Sequence, residues 1–244
     1  LVEAYAASSE EIPGPLRPAA ILPDAALALM APAAETALQL DPMLAEAHAA
    51  MGVVHSRRLD WQSAEKSFQR AIDLNPSLTQ VYTSYSASTL IPLGKLDEAE
   101  QWLRRAFQRD PLSLNVQREL AGLQFITGRY AEAVASLERI RAVDPNFPTV
   151  DIRLARALTF AGRPLEALRV LEARKDQPGV QHWMARAYVM AGRRDEVERL
   201  AATHDHPFRL AVIYAALGDT DSAFEALDQA VVRVPQRVGL LLRE

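Results

Sequence analysis

The sequence of 244 residues contains no cysteine, which excludes disulfide bonds, thiol catalysis and zinc sites built on cysteine. Glycine is also scarce, at 10 residues, while hydrophobic residues make up 49% of the chain. This composition favours helices over strands and argues against a disordered chain. No apolar run reaches the roughly 20 residues of a membrane-spanning helix, because prolines and Asp24 interrupt the alanine-rich stretch 18–34. We therefore expect an α-helical protein with no segment inserted in a membrane.

A strong excess of one charge is absent as well. The net charge is −4 and the isoelectric point is near 5.8, so a general affinity for nucleic acid is not expected. Lysine occurs only as Lys66, Lys95 and Lys175, and arginine therefore carries nearly all of the positive charge. Without cysteines to report on the redox compartment, the location stays open; our working hypothesis is the cytoplasm, with the periplasm as the alternative.

What the sequence does contain is a repeat of about 34 residues. The prolines and glycines that mark it recur at intervals of 34 or 35 residues: Pro42, Pro76, Pro111 and Pro145, and Gly94, Gly128 and Gly162. Repeats of this length are supersecondary units that stack on their neighbours to bury their apolar faces. The sequence therefore predicts a repeat architecture.

Each repeat contains small and large residues in a fixed order. Small residues stand ten positions after each proline, namely Gly52, Ser86, Ala121 and Ala155. Alanines follow at twenty-two positions, namely Ala64, Ala133 and Ala167, with Ala99 one later because Pro92 adds a residue. Larger residues come next, at Phe68, Leu103, Leu137 and Leu171. The apolar spacing of three to four residues predicts two amphipathic helices per repeat, which cross closely at the small residues.

Helix ends are marked by glycine, aspartate and proline. Five glycines are predicted to end first helices with a positive φ: Gly94, Gly128, Gly162, Gly192 and Gly218. Aspartates are predicted to cap second helices, at Asp60, Asp97, Asp195 and Asp219 or Asp221. Near the start, residues 25–40 look like a second helix, and Pro32 predicts a break or kink within it.

On these motifs the chain resembles tetratricopeptide repeat (TPR) proteins. The clearest unit is 45–76, in which Met51, Gly52, Ala64, Phe68, Ala71 and Pro76 stand at the signature spacings of that family. Residues 40–48 and 210–231 further resemble the C-terminal TPR arrays of bacterial multidomain signalling and regulatory proteins. The resemblance implies an all-α, right-handed α-solenoid of stacked antiparallel helix pairs. Residues 43–244 would form one continuous array of about six pairs, and residues 1–42 a partial leading repeat with a Pro-rich excursion.

The resemblance also implies a scaffold that is not an enzyme and that binds a protein or peptide partner in a concave groove. Helix phase places seven candidate binding residues on that surface: Arg118, Arg156, Arg186, His182, Phe125, Gln80 and Thr83. Guanidinium groups pair with carboxylates, so the three arginines favour an acidic segment or a free C-terminus as ligand. The alternative is that these arginines are solvated or pair with Glu119 and its neighbours.

Two other functions remain open from the sequence. An assembly or regulatory module would use the ends of the array, at 25–40 and 231–242, to pack against a second copy or another domain. A metal-dependent enzyme is the third hypothesis, and His204-Asp205-His206 is the one cluster with suitable ligands. We favour a polar turn before Pro207 for that cluster, because alternate residues converge poorly on one ion and no further ligand lies near. No cofactor is predicted.

Overall fold

A computed structural model describes residues 24–147, 149–175 and 180–233. Within these ranges the chain forms thirteen α-helices and no β-strand. In order they are α1 (Asp24–Leu40), α2 (Ala45–Arg57), α3 (Trp61–Leu74), α4 (Thr79–Tyr85), α5 (Leu96–Arg109), α6 (Leu114–Ile126), α7 (Tyr130–Val143), α8 (Val150–Phe160), α9 (Pro164–Glu172), α10 (Met184–Met190), α11 (Arg194–Thr203), α12 (Pro207–Leu217) and α13 (Thr220–Arg233). The predicted Pro-rich excursion and residues 234–242 of the predicted second array end lie outside the described residues.

Helices that follow one another along the chain pack as antiparallel pairs. The most extensive packing joins α2 to α3, α12 to α13, and α8 to α9. The all-α solenoid fold predicted from the sequence is confirmed. Backbone contacts divide the chain into two compact units, with the boundary between Leu123 and Gln124 inside α6. The first unit contains α1 to α5 and most of α6, and the second contains the remainder of α6 and α7 to α13.

Small residues make close packing of the helices possible, as the sequence predicts. The predicted crossing positions are all buried, at Gly52, Ser86, Ala121 and Ala155 and at Ala64, Ala99, Ala133 and Ala167. Phe68 shows why size is restricted there: a Cβ atom on Gly52 would lie 2.8 Å from its aromatic ring. Phe68 is itself fully buried and its ring centroid lies 5.2 Å from that of Tyr85. Any side chain at position 52 must therefore displace a packed ring.

The extra residue of the second repeat is absorbed by a π-helical turn. α4 continues into this turn at Ser86–Leu90, where the N–H of Ile91 donates to the carbonyl oxygen of Ser86 at 2.9 Å. A bond across five residues is how a helix accommodates one inserted residue without losing its register. Inside this turn Thr89 is fully buried, and its hydroxyl lies 2.7 Å from that of Ser56 on α2. The π-helical turn thus explains how a repeat with an interval of 35 residues between Pro76 and Pro111 packs like the repeats of 34.

The residue that caps each second helix follows directly after a residue with positive φ. All five predicted glycines adopt positive φ, between 75° and 79°. Asp60 and Asp219 accept hydrogen bonds from Ser63 N–H at 3.1 Å and Ser222 N–H at 3.2 Å, so capping by these two aspartates is confirmed. The same prediction is wrong for Asp97 and Asp195. These two lie in the first turn, after the capping residues Lys95 and Arg193, where their charge still faces the positive end of the helix dipole.

The loops between repeats are fixed by their Asp-Pro and Asn-Pro pairs. In each loop the acid or amide oxygen accepts a backbone N–H: Asp41 from Met43, Asn75 from Ser77, Asp110 from Ser113, and Asp144 from Asn146. Such local bonds pre-form the turn and satisfy backbone donors that have no helical partner.

A side chain six residues after the loop proline contacts the proline carbonyl oxygen. His48 Nε2 lies 3.0 Å from this atom, the Tyr82 hydroxyl donates to it at 2.7 Å, and Gln117 Nε2 donates at 2.8 Å. The fourth repeat has Asp151 at this position, and a carboxylate cannot donate. Arg174 takes over this role, donating to the carbonyl oxygen of Pro145 at 2.9 Å and to Asp151 Oδ2 at 2.8 Å.

The first helix, α1, runs through its internal proline. The predicted break at Pro32 is wrong, because the helix is continuous from Asp24 to Leu40, and the alternative of a kink stays a prediction. Its buried residues Met30, Ala31 and Ala34 belong to one cluster with Ala50 and Val54 of α2. This burial holds α1 against the array even though the proline removes one helical donor.

Leu59 has the backbone conformation that the later repeats assign to glycine. Its φ is 61°, and its side chain is 69% exposed, so the side chain contributes little packing in compensation. The left-handed conformation costs an ordinary residue about 1–2 kcal/mol. We expect Leu59→Gly to raise the free energy of unfolding by about 1 kcal/mol in urea titrations.

Gly94→Ala is the matched control for this strain. Gly94 has φ 75°, and a Cβ atom there meets no other atom within 4 Å. The substitution therefore changes the conformational free energy of the backbone without creating a steric clash. It should lower the free energy of unfolding by about 1 kcal/mol. A loss of stability in Leu59→Gly would contradict the assignment of strain to Leu59.

Candidate functional site

The second unit contains a cavity of about 340 Å³. Its walls come from α8, α10, α12 and α13, together with a short 3-10 turn at Gln181–Trp183. Polar and aromatic side chains line one side, namely Arg156, Thr159, Phe160, His182, Trp183 and Arg186. Small and apolar residues of α12 and α13 line the other side, including Ala211, Ala215, Ala223 and Phe224. We call this cavity the cationic pocket, because its described lining includes two arginines and no carboxylate.

The two pocket arginines occupy the same position in consecutive repeats. Arg156 lies six residues before the turn glycine Gly162, and Arg186 lies six before Gly192. Their guanidinium groups rest on aromatic rings. The Cζ atom of Arg156 lies 4.8 Å from the ring centroid of Phe125 and 4.7 Å from that of Trp183. The shared repeat position therefore places both arginines beside aromatic rings of the second unit.

Arg186 is seated on a second aromatic group. Its Cζ atom lies 4.6 Å from the ring centroid of Phe160. Phe160 in turn packs edge-on against Phe125, with centroids 5.2 Å apart and an interplanar angle of 89°. Tyr130 contacts both rings, at 5.4 Å from each. The rings hold the two arginines through cation–π contacts and packing. The long side chains are therefore already restricted before binding and lose less conformational entropy when a ligand binds.

The two arginines differ in their surroundings. Burial lowers the pKa of the Arg156 guanidinium below its usual value, and the charge of Arg153 acts in the same direction. Arg186 is exposed, and within the described ranges no Asp or Glu oxygen forms an ion pair with it. An anion entering the pocket would therefore meet Arg186 at the surface and favour the charged form of Arg156 inside.

Arg118 and His182 occupy a different repeat position, ten residues before the turn glycines Gly128 and Gly192. Both are buried, with 8% and 1% of their surface exposed. Arg118 Nε donates to Glu119 Oε1 at 3.1 Å, which is the pairing that the sequence left open as the alternative. His182 lines the pocket and its ring centroid lies 4.7 Å from that of Trp183. Of the three predicted arginines, Arg156 and Arg186 therefore line the pocket, while Arg118 is buried in an ion pair with Glu119.

The three remaining predicted residues are absent from the described lining of the cationic pocket. Phe125 stacks against the Arg156 guanidinium and is not part of the described lining. Gln80 is exposed on α4, and the buried Thr83 hydroxyl donates to the carbonyl oxygen of Gln80 at 2.9 Å. Both belong to the first unit, and a binding role for them stays a prediction.

Sequence reasoning missed the wall formed by α12 and α13. Val212 lies six residues before Gly218 and so occupies the repeat position of the pocket arginines. Extending the same spacing by one repeat could have found it. Phe224 gave no such signal, because it stands on a second helix, where packing between helices is the usual role.

The His204-Asp205-His206 segment forms the turn that the sequence favours. α12 begins at Pro207, directly after His206, and His204 Nδ1 lies 2.8 Å from the carbonyl oxygen of Leu200. In the part of the chain that the structure describes, no group of three or more His, Asp or Glu residues could hold a metal ion. None of the described helices is long and apolar enough to cross a membrane.

Comparison with known families gives three matching profiles, all described as tetratricopeptide repeat. One matches residues 90–148 and 124–177, a second matches 178–203, and a third matches 208–237. Together they cover more than half of the chain and include every helix that lines the cationic pocket. This chain belongs to the tetratricopeptide repeat family.

Two curated relatives of this TPR chain match parts of longer proteins. Small glutamine-rich tetratricopeptide repeat-containing protein 2 of Mycosarcoma maydis is 30% identical over 115 residues, which cover 47% of this chain and 31% of that protein. Cellulose synthase operon protein C of Xanthomonas axonopodis pv. citri (strain 306) is 29% identical over 205 residues, which cover 75% of this chain and 14% of that protein. The TPR chain therefore spans less than a third of the length of either relative.

Solved structures with the same fold include two that are almost fully covered. PilW, a widely conserved type IV pilus biogenesis factor, has a TM-score of 0.61 and 19% identity, with 81% of this chain and 98% of that chain covered. PilF of Pseudomonas aeruginosa has a TM-score of 0.57 and 18% identity, with 80% and 94% covered. At this identity the likeness shows the TPR fold alone. TPR folds generally serve as protein-interaction scaffolds.

Proposed function

We propose that this chain is a protein-interaction scaffold whose cationic pocket binds an acidic segment of a partner protein. The observation that carries the proposal is the described lining of the pocket, which combines Arg156 and Arg186 with aromatic rings and contains no carboxylate. Charge-assisted hydrogen bonds from guanidinium to carboxylate are stronger than neutral ones, especially in a partly desolvated site.

The two arginines have distinct roles in this proposal. Arg186 is exposed, so it makes the first contact and gives association a dependence on salt. Arg156 lies deeper, over Phe125 and Trp183, so it fixes the bound carboxylate after water leaves. His182 supports the pocket by packing against Trp183. Phe125 supports it by stacking against the Arg156 guanidinium.

A selection from random peptides tests this function even while the partner is unidentified. A library of random twelve-residue peptides is displayed and selected on the wild-type chain, with Arg186→Glu as the counter-selection bait. We expect the enriched peptides to be acidic and to bind Arg186→Glu at least tenfold more weakly, because a like charge now faces them.

Arg169→Glu is the matched control for charge. Arg169 is an exposed arginine of the second unit that lies on α9 and does not line the pocket. Binding should survive this substitution. Enriched peptides that are neutral or basic, or that bind Arg186→Glu as well as wild type, would rule out the cationic pocket as the binding site.

A second candidate function is self-association through α1. This helix buries Met30, Ala31 and Ala34 against α2, yet Leu29 is 48% exposed and Leu40 is 82% exposed. Exposed apolar residues on one helix are a natural contact for a second copy. In light scattering across a dilution series, we would then expect dimers that Leu29→Glu converts to monomers. A monomer at every concentration would exclude this function.

A further inference from the structure

The size of the cationic pocket limits what part of a partner can enter it. A volume of about 340 Å³ lies at the lower end of ligand-binding pockets, which span about 300–1,000 Å³. An α-helix with its side chains is about 10–12 Å across, so a whole helix needs a wider groove. The pocket instead fits one or two side chains that project from a bound segment.

The walls of the pocket favour a bulky apolar side chain. Ala211, Ala215 and Ala223 form a surface of small residues, which leaves space that no described side chain of the second unit fills. Phe224 lines the same space and is 59% exposed. Burying a large apolar side chain against these residues removes apolar surface on both partners from water.

The arginines favour an aromatic side chain over an aliphatic one as the group that enters the pocket. Arg186 already packs over Phe160, and its exposed guanidinium lines the open pocket. Cations on this surface attract the face of an aromatic ring and give no such preference to an aliphatic group of equal size. The same two arginines attract a carboxylate, which must then lie next to the ring in the bound segment.

Building on the proposed function, we propose that the cationic pocket recognises an aromatic side chain flanked by acidic residues in a partner segment. The ring enters between Phe224 and the alanine surface, and a neighbouring carboxylate pairs with Arg186 at the rim and Arg156 inside. Specificity thus requires both features, because the apolar walls select the ring and the arginines select its acidic neighbours.

Defined peptides separate the two requirements. The probe is a blocked seven-residue peptide with glutamate-phenylalanine-glutamate at its centre and glycine and serine at its ends. Comparison peptides replace the phenylalanine by serine or by cyclohexylalanine, or both glutamates by glutamine. Affinities come from isothermal titration calorimetry with the full chain.

We expect the serine peptide to bind at least about tenfold more weakly, because the buried ring is lost. The cyclohexylalanine peptide should bind about twofold to fivefold more weakly, since its bulk remains and the cation–π contact does not. Phe224→Ala should weaken the phenylalanine peptide about tenfold and leave the serine peptide unchanged. Phe107→Ala, which removes a partly exposed phenylalanine of the first unit, is the matched control and should change neither affinity.

The outcomes distinguish this inference from the proposed function. Equal binding of the serine and phenylalanine peptides, with both weakened by Arg186→Gln, would overturn the aromatic requirement and leave acidic binding in place. Binding of the phenylalanine peptide that ignores both Phe224→Ala and Arg186→Gln would place it outside the pocket and overturn the inference. If Arg186→Gln weakened the binding of none of the acidic peptides, both the aromatic requirement and the proposed binding of acidic segments would be overturned.

Discussion

Gly52→Val should destabilise the first unit by about 3 kcal/mol, at the upper end of the usual cost of overpacking. The reason is steric, since a Cβ atom at position 52 would lie 2.8 Å from three atoms of the Phe68 ring. The ring cannot move aside cheaply, because Phe68 is fully buried and packs against Tyr85. Urea unfolding followed by circular dichroism measures the change.

A double-mutant cycle shows whether the clash with Phe68 is the cause. Phe68→Leu alone loses buried surface, but the smaller side chain leaves room for a residue at position 52. The combined variant should therefore be more stable than the sum of the single effects predicts, by at least about 1 kcal/mol. Gly52→Val would be as stable as wild type if position 52 were an exposed helical position. That result would disprove the close crossing of α2 and α3.

Glu119→Gln should also lower the free energy of unfolding by about 3 kcal/mol. The change removes the negative charge that accompanies Arg118 in a pair whose side chains are only 7% and 10% exposed. A buried charge that loses its ionic partner is costly, whereas removal of both charges together is often tolerated. Thermal unfolding monitored by calorimetry measures the loss.

Two comparisons isolate the effect of burial at this pair. Glu198→Gln breaks the exposed pair with Arg194, whose side chains are 58% and 59% exposed, and should cost less than about 0.5 kcal/mol. The double variant Arg118→Met with Glu119→Leu should be more stable than Glu119→Gln. An equal, small cost for Glu119→Gln and Glu198→Gln would show that Arg118 is not held as a buried ion pair.

Much of the fold could be predicted from the sequence because it depends on residue size and backbone conformation. Gly52 and Ala64 are small where helices cross, and Gly94 has the positive φ that ends a helix. Both features recur at intervals of 34 or 35 residues as far as Gly162, so each of these repeats supports the interpretation of the others. The exceptions involve backbone detail, such as Leu59, which adopts a glycine conformation without being glycine.

The candidate site was less predictable because residues one helical turn apart can point in similar directions and still have different neighbours. Arg118 differs from Arg156 and Arg186 by four residues of repeat position, and that difference buries it beside Glu119. The wall containing Phe224 depends on how α13 packs against its neighbours, which no spacing in the sequence specifies. Sequence identifies the residues with binding chemistry, while packing decides which of them share a cavity.

The central claim is that the cationic pocket of the second unit binds acidic segments through its arginines. The indole N–H resonance of Trp183, which lines the pocket, reports on it directly, and Trp61 and Trp102 of the first unit provide internal references. In a titration of ¹⁵N-labelled chain with the tightest selected peptide, we expect the Trp183 resonance to shift and the other two to stay in place. Arg186→Gln should weaken the affinity at least fivefold and reduce its dependence on salt. A shift confined to Trp61 or Trp102, or an affinity that Arg186→Gln leaves unchanged, would contradict the account.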